Sequence, residues 1–241
     1  MKADVQELLT LTNELLRSPS TIAERCRDQS DLRPLVVASL LATVLGGALF
    51  GAVIGAPRGV LQATSAGVKL PLAMLSALVV SAPAFHVLNA GLATPRPFRT
   101  VVALTLAATA RAALVLLACA PLLWLAMDTV LDYHQAVVFA SLCYFAGGVT
   151  ALGVVVRGFG TGLRGLATAA LCVAVLLPVG GQTAWMLRPF FGRPAHQHLP
   201  IVRARESSFA DAVYTSVWSA LGVYALEPHR SSEGERRHAV D

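Results

Sequence analysis

The chain has 241 residues, 55% apolar and 14% charged, with a formal net charge of +5 and a mean hydropathy of +0.63. A water-soluble domain of this length carries about 25% charged residues, so an ordinary soluble enzyme is excluded. No Asp or Glu lies between Asp31 and Asp128, nor between Asp132 and Glu206, and carboxylate-free stretches of that length belong in hydrocarbon.

Residues 1–34 form a polar N-terminal segment without the basic start and short apolar core of a cleaved secretory signal. Within it Val5, Leu8, Leu9, Leu15 and Leu16 recur at helical spacing, with Asp4, Glu7, Glu14 and Arg17 off that stripe. This predicts a short amphipathic helix. Ser18-Pro19-Ser20 breaks it, and a second short helix is expected over residues 21–28.

Five apolar segments follow, at residues 35–55, 70–92, 100–127, 135–156 and 166–187. Each meets the ~20 residues required to cross a hydrocarbon core. None alternates with the period of a barrel strand, so all five are expected to be helices. Arg111 is the one Asp, Glu, Lys or Arg inside them. The third segment is overlong and is expected to tilt, to kink at Pro121, or to begin outside the core. Five crossings put the two ends on opposite sides. Lys and Arg are shared equally between those sides, so the positive-inside count leaves the orientation open. In the tail, 193–241, Phe209, Val213, Val217, Leu221 and Tyr224 share one face, which predicts a second amphipathic helix over 208–225. The expected fold is therefore an all-α integral membrane protein. Its five-helix transmembrane bundle occupies residues 35–192, with amphipathic helices at the N- and C-terminal ends.

Gly47, Gly51 and Gly55 form two overlapping G-x-x-x-G units on the first span, a pattern that lets a second helix approach closely. The partner is either another span of this chain or a second copy. Arg111 is read either as a snorkelling side chain one turn below the interface or as a site for an anionic group. His86 and Asn89 share a helix face one turn after Pro83. Pro178, Gly180, Gly181 and Gln182 loosen and polarise the late part of the fifth span, as the broken helices of transporters do. Gly160-Thr161-Gly162-Leu163-Arg164-Gly165 spells G-x-G-x-x-G, but it joins two expected membrane helices, and the dinucleotide fingerprint requires a preceding strand. Cys26, Cys119, Cys143 and Cys172 include no C-x-x-C pair, which argues for packing residues over a metal site or disulfide frame. Asp128, Asp132 and His134, or His196 with His198, are too few to specify a metal. No cofactor is expected, and no basic, aromatic-interleaved stripe points to nucleic acid.

The stretch from Gln182 to Pro194 reads Q-T-A-W-M-L-R-P-F-F-G-R-P. With Val68-Lys69-Leu70-Pro71-Leu72 and Pro83 to Asn89 on the second span, it resembles an uncharacterised family of bacterial multi-span membrane proteins. That family carries a Q-x-x-W-x-L-R-P-F-x-G motif after its last span. In layout alone the chain is similar to the Yip1-like membrane proteins. The resemblance implies a multi-pass protein of the cell inner (cytoplasmic) membrane and names no activity. Physically, Trp185 suits the interface, Arg188 suits phosphates, Pro189 stops the helix, and Phe190 dips back toward the headgroups. The same four residues would serve a partner protein or lipid.

The functional expectation is a non-enzymatic membrane protein that works by assembling with lipid or protein partners, including a second copy, through the glycine face and the Trp185–Phe190 segment. The alternative is a transporter or channel for a neutral or anionic small solute, with Arg111, His86, Asn89 and Gln182 along its path.

Overall fold

The computed structural model describes residues 2–30, 32–92, 95–129 and 133–187, and every regular element among them is helical. In chain order these are α1 (Lys2–Arg17), α2 (Pro19–Asp28), α3 (Leu32–Gly55), a 3-10 turn (Ala56–Arg58), α4 (Val60–Leu92), α5 (Phe98–Thr129), α6 (Tyr133–Phe159) and α7 (Leu163–Leu187). The five helices from α3 to α7 are long and apolar enough to cross a membrane. The helix expected over 208–225, with the rest of the tail, lies outside the described residues.

Each of these helices runs past its apolar segment, because hydropathy marks the stretch suited to lipid and not the stretch that is helical. The second span differs most. It begins at Val60, where Gly59, with φ of 101°, redirects the chain after the 3-10 turn and donates its amide to the Ala56 carbonyl at 3.0 Å. At 33 residues and 1.5 Å per residue, α4 is about 50 Å long. Lys69 therefore lies inside a spanning helix, 4% exposed, and Arg111 is not the one cation in the spans as the apolar segments had suggested.

Helix α3 sits between α4 and α5. A Cβ on Gly51 would stand 2.5 Å from the Ala66 carbonyl oxygen, one on Gly47 would stand 3.3 Å from Pro71 Cβ, and one on Gly55 would meet the Gln62 carbonyl. Each glycine thus lets the α4 backbone approach where a side chain would hold it off. Gly46, one position from that stripe, does the same toward α5, where a Cβ would lie 2.7 Å from the Ala113 carbonyl oxygen. The outward face of α3 is Val37, Leu40, Leu41, Leu45 and Leu49, all exposed and suited to lipid.

Helices α1 and α2 fold back on the bundle. Leu15, Ile22 and Cys26 are fully buried and share a core with Leu35, Val101, Leu104 and Val154. Between α6 and α7, Gly160 takes φ of 111° and donates to the Val156 carbonyl at 3.0 Å, while Gly165 leaves room for the Gly160 carbonyl. The G-x-G-x-x-G letters are the glycines of a tight turn between two helices.

Candidate functional site

Two constellations concentrate the polar chemistry of the bundle. The first is built on Arg111, thirteen residues into α5 and therefore about 20 Å along the helix. Its Nη1 donates to the Leu15 main-chain carbonyl at 2.9 Å. That carbonyl lies in the last turn of α1, where the intrahelical donor would be the amide of residue 19. Residue 19 is proline and has no N–H. Pro19 also disfavours helical backbone at the residue before it, and Ser18 has left the helix at φ −129°, ψ 70°. The break that separates α1 from α2 therefore creates the acceptor that Arg111 fills. Arg157 on α6 is the like charge that faces Arg111; its own Nη1 is turned to the Gly153 carbonyl at 3.0 Å. Among the described residues neither arginine has a carboxylate partner.

The hairpin has two further ties. Glu14 of α1 forms an ion pair with Arg25 of α2, with 3.2 Å between Arg25 Nη2 and Glu14 Oε2. Gln29 Oε1, at the C-cap of α2, accepts from Arg99 Nη2 at 2.7 Å. Helix α2 thus runs antiparallel to the first half of α5, from the level of Arg111 back to that of Arg99.

The second constellation lies at that same end of the bundle. Asn89, near the C-terminus of α4, is 0% exposed, and among the described residues neither its Oδ1 nor its Nδ2 has a partner. Thr100 is 1% exposed with an unpartnered Oγ1; Arg96, between α4 and α5, has a buried and unpartnered Nη1, and His86 a buried and unpartnered Nδ1. The His86 ring stands edge-on to Phe98, with centroids 5.4 Å apart. Burial, together with the neighbouring Arg27, lowers the Arg96 pKa, while Cys26 raises it. The Cys26 thiol is itself pushed up to about 11 by burial, partly offset by Arg96.

The structure does not gather the four polar residues read from the sequence. Arg111 is committed to α1, and His86 and Asn89 lie at the end of the bundle where α4 finishes. Gln182 lies near the end of α7, which points the opposite way. Trp185 is in the last turn of α7; Arg188, Pro189 and Phe190 lie outside the described residues. Among the described residues no group of three or more His, Cys, Asp or Glu is placed to hold a metal. Sequence reasoning missed the Leu15 carbonyl, although a proline four residues after a helical leucine marks an orphaned acceptor. It also missed Thr100, which carries no motif, and saw Arg96 only as part of Arg96-Pro97-Phe98, a tripeptide echo of Arg188-Pro189-Phe190. No family model, curated protein or solved structure matches the chain.

Proposed function

We propose that this chain is a non-enzymatic, multi-pass protein of the bacterial inner membrane that acts as an interaction component, offering its N-terminal hairpin to a partner at one membrane face. The observation that carries this reading is the bond from Arg111 to the Leu15 carbonyl. A solute path would use the mid-helix cation to meet its substrate; here it fixes α1 to the bundle. The docked hairpin leaves Glu7, Asn13, Glu24, Arg27 and Asp28 exposed, together with Leu9 at 61% and Leu16 at 40%. Two apolar side chains ringed by charge suit a protein partner. The glycine face of α3 is occupied by α4 in the same chain, so it is not the surface we assign to assembly. The motif segment Trp185, Arg188, Pro189 and Phe190 remains part of the proposal as a headgroup-level contact.

The test is photocrosslinking in native membranes from probes at Glu7 and Asn13, with Leu41 on the lipid face of α3 as control. The reading expects discrete protein adducts from α1 that disappear in Arg111→Gln. Solute flux in proteoliposomes that Arg111→Gln abolishes, with no α1 adduct, would overturn it in favour of a carrier. That second reading draws on the unpartnered Asn89 amide.

A further inference from the structure

Buried polar atoms in native proteins are almost always hydrogen-bonded, and each exception calls for a bound water, ion or ligand. Among the described residues five of the nine such exceptions belong to His86, Asn89, Arg96 and Thr100, the others to Glu14, Ser39, Ser81 and Arg111. The His86 ring stands edge-on to Phe98, which brings the last turns of α4, with Asn89 three residues on, against the start of α5, with Thr100 two residues on. The register of α3 against α5, with Gly46 opposite Ala113, sets Thr100 at the level of Arg33. The Arg99 bond to Gln29 fixes the end of α2 at that same level. Asn89, Thr100 and Arg96 are thus contributed by α4, α5 and the chain between them to one end of the bundle, roofed by the last turn of α2.

The unpartnered atoms there are two donors, Arg96 Nη1 and Asn89 Nδ2, two that can donate or accept, the Thr100 hydroxyl and His86 Nδ1, and one acceptor, Asn89 Oδ1. Among the described residues no carboxylate pairs with Arg96, the one described ion pair of the hairpin being Arg25 with Glu14. Donors and a guanidinium without a counter-charge among the described residues, at a helix-bundle end, suit a tetrahedral oxyanion. Basic pockets between membrane helices take phosphate-bearing headgroups.

We propose that Arg96, Asn89 and Thr100 form a binding site for a phosphate group, supplied either by an anionic phospholipid headgroup or by free phosphate. Arg96 provides the charge and a guanidinium donor, Asn89 Nδ2 and Thr100 Oγ1 the fixed donors, and Arg27 adds positive potential from α2. The site goes beyond the interaction reading above and does not depend on it, since a carrier could hold the same anion.

The experiment uses the full chain in nanodiscs, read by thermal unfolding. One arm has phosphatidylcholine discs titrated with inorganic phosphate. The other has discs, in buffer free of inorganic phosphate, in which about a fifth of the lipid is phosphatidylglycerol. A saturable rise in melting temperature in the first arm assigns free phosphate, and a rise confined to the second assigns the headgroup. In either case Arg96→Gln should reduce apparent affinity tenfold or more. Thr100→Val, which keeps size and folding, should reduce it several-fold. If wild type responds in neither arm, or if Thr100→Val and folded Arg96→Gln respond as wild type does, the site is refuted.

Discussion

Arg111 and Leu15 are 96 residues apart in the chain and are joined by a 2.9 Å hydrogen bond from a guanidinium to a main-chain carbonyl. The acceptor is free because Pro19 offers no amide, and the donor is long enough to reach it from α5. A charge that hydropathy marks as an anomaly thereby closes a helix end, satisfying the Leu15 carbonyl and Arg111 Nη1, while Arg111 Nε stays buried without a hydrogen-bond partner among the described residues.

Replacing Arg111 with Gln should cost about 1.5–3 kcal/mol, the range for a hydrogen bond to a charged group whose partner is left buried. Denaturant unfolding of the purified protein checks this. Arg111→Lys should recover part of the loss, since an ammonium retains charge and donor but lacks the reach of the planar fork.

Gly51→Leu should separate α3 from α4 within the monomer, because even its Cβ would stand 2.5 Å from the Ala66 carbonyl oxygen. Overpacking of this kind costs about 1–3 kcal/mol or more. Gly148→Ala on α6, where a Cβ meets nothing within 4 Å, should be neutral. Thermal unfolding with size-exclusion chromatography separates this outcome from loss of a dimer, which would change the elution volume with the melting temperature intact.

The Cys26 thiol should alkylate slowly at neutral pH in a variant retaining it as the single cysteine. With its pKa pushed up to about 11, the thiolate is about one part in a thousand at pH 8, and the thiolate is the nucleophile. The labelling rate should climb roughly tenfold per pH unit between 7 and 10. Undocking the hairpin by Arg111→Gln should raise the rate at fixed pH.

Lys69 is buried on α4 without a hydrogen-bond or ion-pair partner among the described residues. Lys69→Met, which keeps the unbranched stem, should raise stability by about 1–3 kcal/mol, because an unpaired charge is removed from an apolar setting. A fall in melting temperature would show that the ammonium holds an anion or a neighbouring chain.

The five spanning helices were legible because carboxylate-free apolar runs of that length have few other solutions. The close approach at Gly47, Gly51 and Gly55 was legible for a related reason, since absent side chains one turn apart leave a groove. Which helix fills that groove depends on connectivity, and the Gly59 turn that starts α4 at Val60 decides it. Arg111 stood out from the sequence, but its role did not, because its partner is a backbone atom and carries no side-chain signature. Asn89 gained meaning only when Thr100 and Arg96 were brought to the same end of the bundle.

Hydrogen exchange over residues 2–30 of the lipid-embedded full chain tests the central claim most directly, that Arg111 holds the N-terminal hairpin on the bundle. Wild type should protect the last turn of α1 and all of α2, and Arg111→Gln should lose that protection while α3 and α5 keep theirs. Equal exchange of α1 and α2 in the two proteins would contradict it.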